Sequence, residues 1–305
     1  MNTKAFYSNG KLLISGEYVV LDGATALAVP TRFGQSLIVE SIEYPKLIWK
    51  SFDEQGHVWF ENEFSIDEFH SEFSKEANDI TLRLIQILKS AQQLNPSFLN
   101  SNSGYKITTH LDFKKNWGLG TSSTLINNIA QWAQINPFKL LETTFGGSGY
   151  DIACAQHNNP ISYQLHDGKP YVSEVNFNPS FKEHLYFVYL NKKQNSREGI
   201  KQYKLNKPHE LVLNDISKIS HKLMSCKTLS EFETLITLHE EFISQIIKQQ
   251  PIKKVLFNDF NGSIKSLGAW GGDFILVTSQ ENPETYFKNK GFETIIPYEK
   301  MVLIN

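Results

Sequence analysis

Trp117-Gly-Leu-Gly-Thr-Ser-Ser-Thr124 stands between a stretch that reads as a strand, Tyr105–Phe113, and one that reads as a helix, Leu125–Ile135. Its two glycines allow the backbone to approach a ligand closely and to take conformations closed to other residues. The hydroxyl run Thr121, Ser122, Ser123 falls where the helix begins. There the free N–H groups and the helix dipole favour an anion such as phosphate. The same residues also read as a glycine turn followed by an ordinary Ser/Thr N-cap. The rest of the chain decides between the two.

Working outward, residues 3–60 are strand-rich: Lys11–Ser15, Ala26–Val29, Gln35–Glu40 and Leu47–Lys50 are short apolar or β-branched runs broken by Gly, Asp and Pro. Asp79–Leu94 carries Ile80, Leu84, Ile87, Leu88 and Ala91 at helical spacing and stops at Asn95-Pro96. Downstream, Phe145-Gly-Gly-Ser-Gly-Tyr-Asp151 opens a helix over Ile152–His157. Ile161–Gln164 and Tyr171–Val175 form a hairpin about Asp167-Gly168. Leu185–Leu190 reads as a buried strand, and His209–Met224 and Leu229–Gln249 as amphipathic helices. Residues 263–279 give strand, glycine loop, strand. Strands and helices mix without strict βαβ alternation, which predicts an α+β protein with a lobe boundary near residue 180.

A chain of 305 residues with 40% hydrophobic and 20% charged side chains is long enough for a large core, as one domain or two lobes. A net charge of −2 argues against broad nucleic-acid or anionic-membrane binding. The arginines are Arg32, Arg83 and Arg197, so any bidentate anion clamp must draw on these three. Cys154 and Cys226 are too few for a disulfide framework or a thiolate metal site. The first residues lack the pattern of a cleavable leader, and no apolar run reaches the roughly 18 to 20 residues that span a bilayer. These features together predict a reducing, cytoplasmic setting.

Four segments hold the candidate chemistry: Gly10–Gly23, the 118–123 loop, Ser148-Gly-Tyr-Asp151, and Gly268-Ala-Trp-Gly-Gly-Asp273. None fits the phosphate loop Gly-x4-Gly-Lys-Ser/Thr. The dinucleotide fingerprint is the weaker alternative, although Glu142 lies about the right distance on for a ribose contact. Ser123 stands where its third glycine belongs, no convincing strand delivers Glu142 to a ribose, and the loop lies outside a βαβ unit.

Taken in order, the four segments resemble the motifs of the GHMP kinases, the superfamily of galactokinase, homoserine kinase, mevalonate kinase and phosphomevalonate kinase. Gly10-Lys11 and Gly16-Glu17-Tyr18 keep the spacing of its first motif, with Asn9 in place of proline. Gly118-Leu-Gly-Thr-Ser-Ser123 matches Gly-Leu-Gly-Ser-Ser, Ser148–Asp151 matches Ser-Gly-x-Asp, and Gly268–Asp273 matches the glycine-rich third motif. The nearest likeness is to the mevalonate-pathway kinases: Glu17–Leu21, Gly149-Tyr-Asp151 and Asp273 look like phosphomevalonate kinases, whereas mevalonate kinases more often have histidine at position 18.

The resemblance implies an α+β, two-lobed GHMP kinase fold. Residues 1–180 would form an N-terminal lobe like ribosomal protein S5 domain 2 that binds ATP, and residues 181–305 a ferredoxin-like C-terminal lobe. It implies ATP and Mg²⁺ as cofactors, a small hydroxyl- or phosphate-bearing acceptor such as mevalonate or 5-phosphomevalonate, and a monomer or homodimer. Asp151 and Lys11 would be catalytic. Gly118, Leu119, Gly120, Thr121, Ser122 and Ser123 would cradle the ATP phosphates, with Ser122 and Glu142 on the metal. Glu17, Tyr18, Arg197, Gly268, Gly271 and Gly272 would line the acceptor pocket. The resemblance leaves open a silent relative of the same fold, or a kinase acting on homoserine or a sugar.

Each residue also has a plainer reading: Asp151 as a helix cap, Lys11 and Glu142 as solvated side chains, Arg197 as a surface arginine, Cys154 as packing. Two departures from the family stand out. The segment between Ile135 and Gly146 is short, as if one or two helices were trimmed, and Trp270 occupies a glycine position of the third loop.

Overall fold

The computed structural model describes residues 3–66, 78–99, 103–194 and 196–305, without the side chains of Ser196 and Arg197. Two compact units divide the chain: Met1–Gly10, Phe33–Lys115 and Gly120–Gln156 in the first, and Lys11–Arg32, Asn116–Leu119 and His157–Asn305 in the second.

Strands β1 (Thr3–Ser15) and β2 (Ala26–Ile42) each contribute one end to either unit. In the first unit Gln35–Ile42 of β2 pairs antiparallel with β5 (Gly104–Leu111). Strand β3 (Lys46–Phe52) runs parallel to β5, and β4 (Val58–Ser65) pairs antiparallel with β3. Alternation decides the buried face: Leu37, Val39, Leu47, Trp49 and Ile107 point inward. Helices α1 (Asp79–Leu94), α2 (Thr121–Ala133), α3 (Pro137–Thr144) and α4 (Tyr150–Gln156) cover that face with Leu84, Leu88, Ile126, Ile129, Leu140 and Ile152 in one core.

Helix α1 has the predicted bounds, because Asn78 caps it through the Thr81 N–H and the chain leaves at Asn95 before Pro96. Helix α2 begins four residues before Leu125, so the hydroxyl run is its first turn. The segment after Ile135 is not bare of helix. It holds α3, started by Asn136 capping the Phe138 and Lys139 amides, with Pro137 in the first turn. The two strands predicted over residues 26–40 are one 17-residue strand. It passes Pro30 and Thr31 because the neighbouring groups find partners in Leu303 N–H and the Thr31–Val302 bridge.

In the second unit Ala26–Ala28 of β2 pairs with β6 (Ile161–His166), which forms a hairpin with β7 (Lys169–Glu174). Asp167 and Gly168 at its tip both have positive φ (50° and 72°), the geometry of a type I′ turn. A four-stranded antiparallel sheet has the order β11 (Ile295–Pro297), β8 (Leu185–Tyr189), β10 (Phe274–Thr278), β9 (Ile264–Ser266). Helices α5 (Ser196–Leu205), α6 (Glu210–Ser225) and α7 (Leu229–Ile247) follow β8. The apolar faces of α6 and α7 bury Ile216, Ile219, Phe232, Ile236 and Ile243. Among the described residues, no helix is long and apolar enough to cross a membrane.

Candidate active site

Within the first unit, Gly120 is the N-cap of α2 at φ 97° and offers no side chain to the first-turn amides. Thr124 Oγ1 donates to Gln35 Oε1 (2.7 Å) and Ser123 Oγ to the Gly120 carbonyl (2.9 Å), so both hydroxyls are turned back into the fold. Ser122 remains exposed. Helix α2 packs on α4. Asp151 lies in the first turn of α4, half-buried, and its Oδ1 accepts the Ile152 N–H at 3.1 Å. This carboxylate therefore makes a cap-like contact at the start of α4. Glu142 sits on the exposed side of α3, ion-paired with Lys139 at 2.8 Å.

The second unit holds the remaining candidates. The Lys11 N–H donates to the Leu119 carbonyl (3.0 Å), and its Nζ to the Gly118 carbonyl (2.8 Å). Lys11 is thus fastened by both main chain and side chain to the start of the glycine loop. Trp117 meets Phe274 edge-on with ring centres 5.5 Å apart, and the Tyr189 hydroxyl donates to the Asn116 carbonyl.

Glu17 is sealed inside. It is hydrogen-bonded to Lys265 of β9. Its second oxygen lies 3.4 Å from His239 Nε2. Burial pushes the Glu17 carboxyl up, against the pull of Lys265. Burial and then the Lys265 charge push His239 well below its ordinary range, so the ring is neutral. Its Nε2 accepts the Gly16 N–H at 2.8 Å, which puts the ring proton on Nδ1. Beside it Glu240 accepts the Ser266 N–H and hydroxyl, and burial pushes its carboxyl up to about 7.

Tyr18 follows at the centre of a tight turn, with φ 63° and ψ −49° and the Val19 N–H donating to the Glu17 carbonyl at 2.7 Å. Its ring stacks on Tyr203 at 6.0 Å, and its oxygen accepts the Trp270 N–H at 3.0 Å. A Cβ on Gly199 would lie 2.6 Å from that oxygen, which explains a glycine within α5. Trp270 is itself buried, packed with Tyr18, Val19, Ile243 and Ile247. It walls two cavities of the second unit, one of about 490 Å³ with Lys192, Ser266 and Gly271, the other of about 360 Å³ with Gln194, Gln202 and Lys248. Gly268 and Gly271 have positive φ, and a Cβ on Gly272 would lie 2.6 Å from the Lys192 carbonyl.

No protein-family model and no curated protein matches this sequence. Solved structures do. The mevalonate kinase of Methanococcus jannaschii superposes with a TM-score of 0.73 at 15% identity, covering 100% of this chain and 99% of that one. The phosphomevalonate kinase of Streptococcus pneumoniae, solved with phosphomevalonate and AMPPNP, gives 0.66 at 15% over 99% and 98%. The galactokinase of Lactococcus lactis, solved with galactose, gives 0.69 at 12% over 99% and 94%. The chain has the GHMP kinase fold.

Within this GHMP kinase fold, two groups of candidates form separately. Gly120–Ser123 and Asp151 lie on packed helices of the first unit, with Glu142 facing solvent. In the second unit Lys11 joins Gly118 and Leu119, Glu17 joins Lys265 of β9, and Tyr18 joins the third loop. The Arg197 side chain lies outside the described residues. Sequence reading missed Lys265, His239 and Glu240. The signal was present, since His239 and Glu240 fall among Phe232, Leu235, Ile236 and Ile243 on the apolar face of α7.

The residues present fit a nucleotide. The amides of α2 carry no side-chain cap, Gly120 brings no side chain to them, and Ser122 is exposed. A Mg²⁺ ion that keeps water and phosphate ligands asks only one or two protein oxygens. Ser122 meets that need, while Glu142 would first have to leave Lys139.

Proposed function

We propose that this protein is an ATP-dependent small-molecule kinase that transfers the γ-phosphoryl group of ATP to mevalonate or 5-phosphomevalonate. The observation that carries the reading is the packing of α2, with its uncapped start and exposed Ser122, against α4, which bears the half-buried Asp151. Likeness to a mevalonate kinase and a phosphomevalonate kinase along nearly the whole chain supports this acceptor class.

In this reading the amides of Gly120–Ser123 bind the phosphate oxygens, and the Ser122 hydroxyl holds Mg²⁺, with Glu142 as its second protein ligand. Bound Mg²⁺ neutralises phosphate charge. Asp151 takes the proton of the acceptor hydroxyl as the acceptor oxygen bonds to the γ-phosphorus and the bond to the leaving ADP oxygen breaks. Where the acceptor is a phosphate, Asp151 orients it instead. Lys11, anchored on the carbonyls of Gly118 and Leu119, supplies positive charge to the transferring group. Glu17, buried against Lys265, acts from within by holding β9 to the first motif rather than by touching acceptor.

ATP consumption measured with mevalonate, phosphomevalonate, homoserine and sugars tests the proposal. Turnover with one of the first two is expected. Nucleotide binding without turnover on any acceptor would replace this reading with a silent, regulatory protein of the same fold.

A further inference from the structure

We propose that Asp273, which no catalytic role has been given, is a positioning residue for phosphoryl transfer: across Gly118 its carboxylate sets the place of the Lys11 ammonium. This rests on the kinase reading above, in which Lys11 acts on the transferred group.

Asp273 is held in the left-handed region at φ 52°, a conformation that costs a non-glycine residue about 1 kcal/mol. Main-chain bonds on both sides enforce it: its N–H donates to the Lys192 carbonyl (2.7 Å) and its carbonyl accepts the Leu190 N–H (2.8 Å). Glycine would occupy this φ without strain, so the side chain must earn its place. That side chain is packed against the glycine loop. Oδ1 accepts the Gln194 N–H at 3.1 Å, and a Cβ added to Gly118 would lie 2.4 Å from Cγ and Oδ2.

Gly118 connects the two charges. Its Cα rests on the Asp273 carboxylate, and its carbonyl accepts the Lys11 ammonium at 2.8 Å. Burial pushes the Asp273 carboxyl up, and Lys11 is the strongest charge pulling it back, ahead of Lys193. The anion therefore favours one place for Lys11 and restrains the backbone on which Lys11 is fastened. A misplacement of an ångström at a reacting group costs on the order of 100-fold in rate.

The test is a double-mutant cycle with Asp273→Asn, Lys11→Met and the pair, alongside Asp273→Gly. Asp273→Asn keeps the side chain's size and its acceptor for Gln194. We expect kcat to fall roughly 10- to 100-fold with KM for ATP within about 3-fold, and the pair to be no slower than Lys11→Met alone. Asp273→Gly should melt at or above the wild-type temperature, because the strain is relieved, yet lose as much kcat as Asp273→Asn. Additive losses in the pair, unchanged kcat in Asp273→Asn, or a loss of kcat that only follows the folded fraction would each overturn the proposal. Absence of turnover in the wild type would sink the kinase reading instead, and a second readout then decides. Acetylation of Lys11 by an N-hydroxysuccinimide ester, followed by peptide mass spectrometry, should run several-fold faster in Asp273→Asn. An unchanged rate overturns the link between the two residues.

Discussion

The Lys265 ammonium is hydrogen-bonded to the Glu17 carboxylate, and neither side chain exposes any surface to solvent. The pair joins β9 to the turn after β1, and the Trp270 N–H on the neighbouring Tyr18 hydroxyl extends the link to the third glycine loop. Attraction in so dry a place is offset by the cost of removing two charges from water. The arrangement is therefore better understood as a register device than as net stabilisation, and that difference can be measured.

Lys265→Met leaves Glu17 buried without its cation and should cost about 3–5 kcal/mol in urea unfolding. Adding Glu17→Leu to it should recover at least half of that loss, because the stranded charge is gone. A double variant as unstable as the sum of the two singles would show that the two side chains are not coupled and would overturn this account of the pair.

Glu240, with its carboxyl raised to about 7 from the ordinary 4.5, makes stability depend on pH. The folded chain binds this proton more tightly than the unfolded chain. The contribution is complete below about pH 4.5 and is lost as pH rises toward 7. The loss is on the order of 3 kcal/mol. Glu240→Gln removes the titration, so wild type minus variant, followed by urea melts across that window, should fall as pH rises. A flat difference would contradict the burial-driven shift.

Gly16 and Gly168 both have positive φ, yet their surroundings differ. A Cβ on Gly16 would lie 2.7 Å from the Ala26 Cβ and 3.0 Å from its Cα, whereas one on Gly168 meets nothing within 4 Å. Gly16→Ala should cost roughly 2–4 kcal/mol, from left-handed strain plus overpacking, and Gly168→Ala about 1 kcal/mol from strain alone. Equal losses in thermal melts would mean that the strand beside Gly16 yields freely.

Asp151→Asn should lower turnover by about a thousand-fold or more while ATP affinity, read by titration calorimetry, stays within a few-fold. The amide keeps the bond to the Ile152 N–H, so the start of α4 should survive and the melting temperature should barely move. Full activity in this variant would remove Asp151 from the proposed mechanism.

Much of the architecture was legible residue by residue. The apolar spacing of Asp79–Leu94 with Asn-Pro after it gives α1, and Asp167-Gly168 between alternating runs gives the β6–β7 hairpin, because both signals act within a few residues. Asn136-Pro137 is an equally local helix start, passed over because the segment after it is so short. The single strand over residues 26–42 was hidden by Pro30, whose neighbours are bridged from residues 302 and 303, far along the chain.

The sequence alone determined the order of the four motifs, the helix and hairpin signals and the glycines at loop positions, because these depend on backbone sterics and on contacts a few residues apart. Tertiary structure decided the partners of the charges. Glu17 and Lys265 are 248 positions apart and Gly118 and Asp273 more than 150, and no local rule links them. Their pairing follows from burial: once β1, β9 and the third loop close out water, each charge must find its counterpart among the residues folded against it.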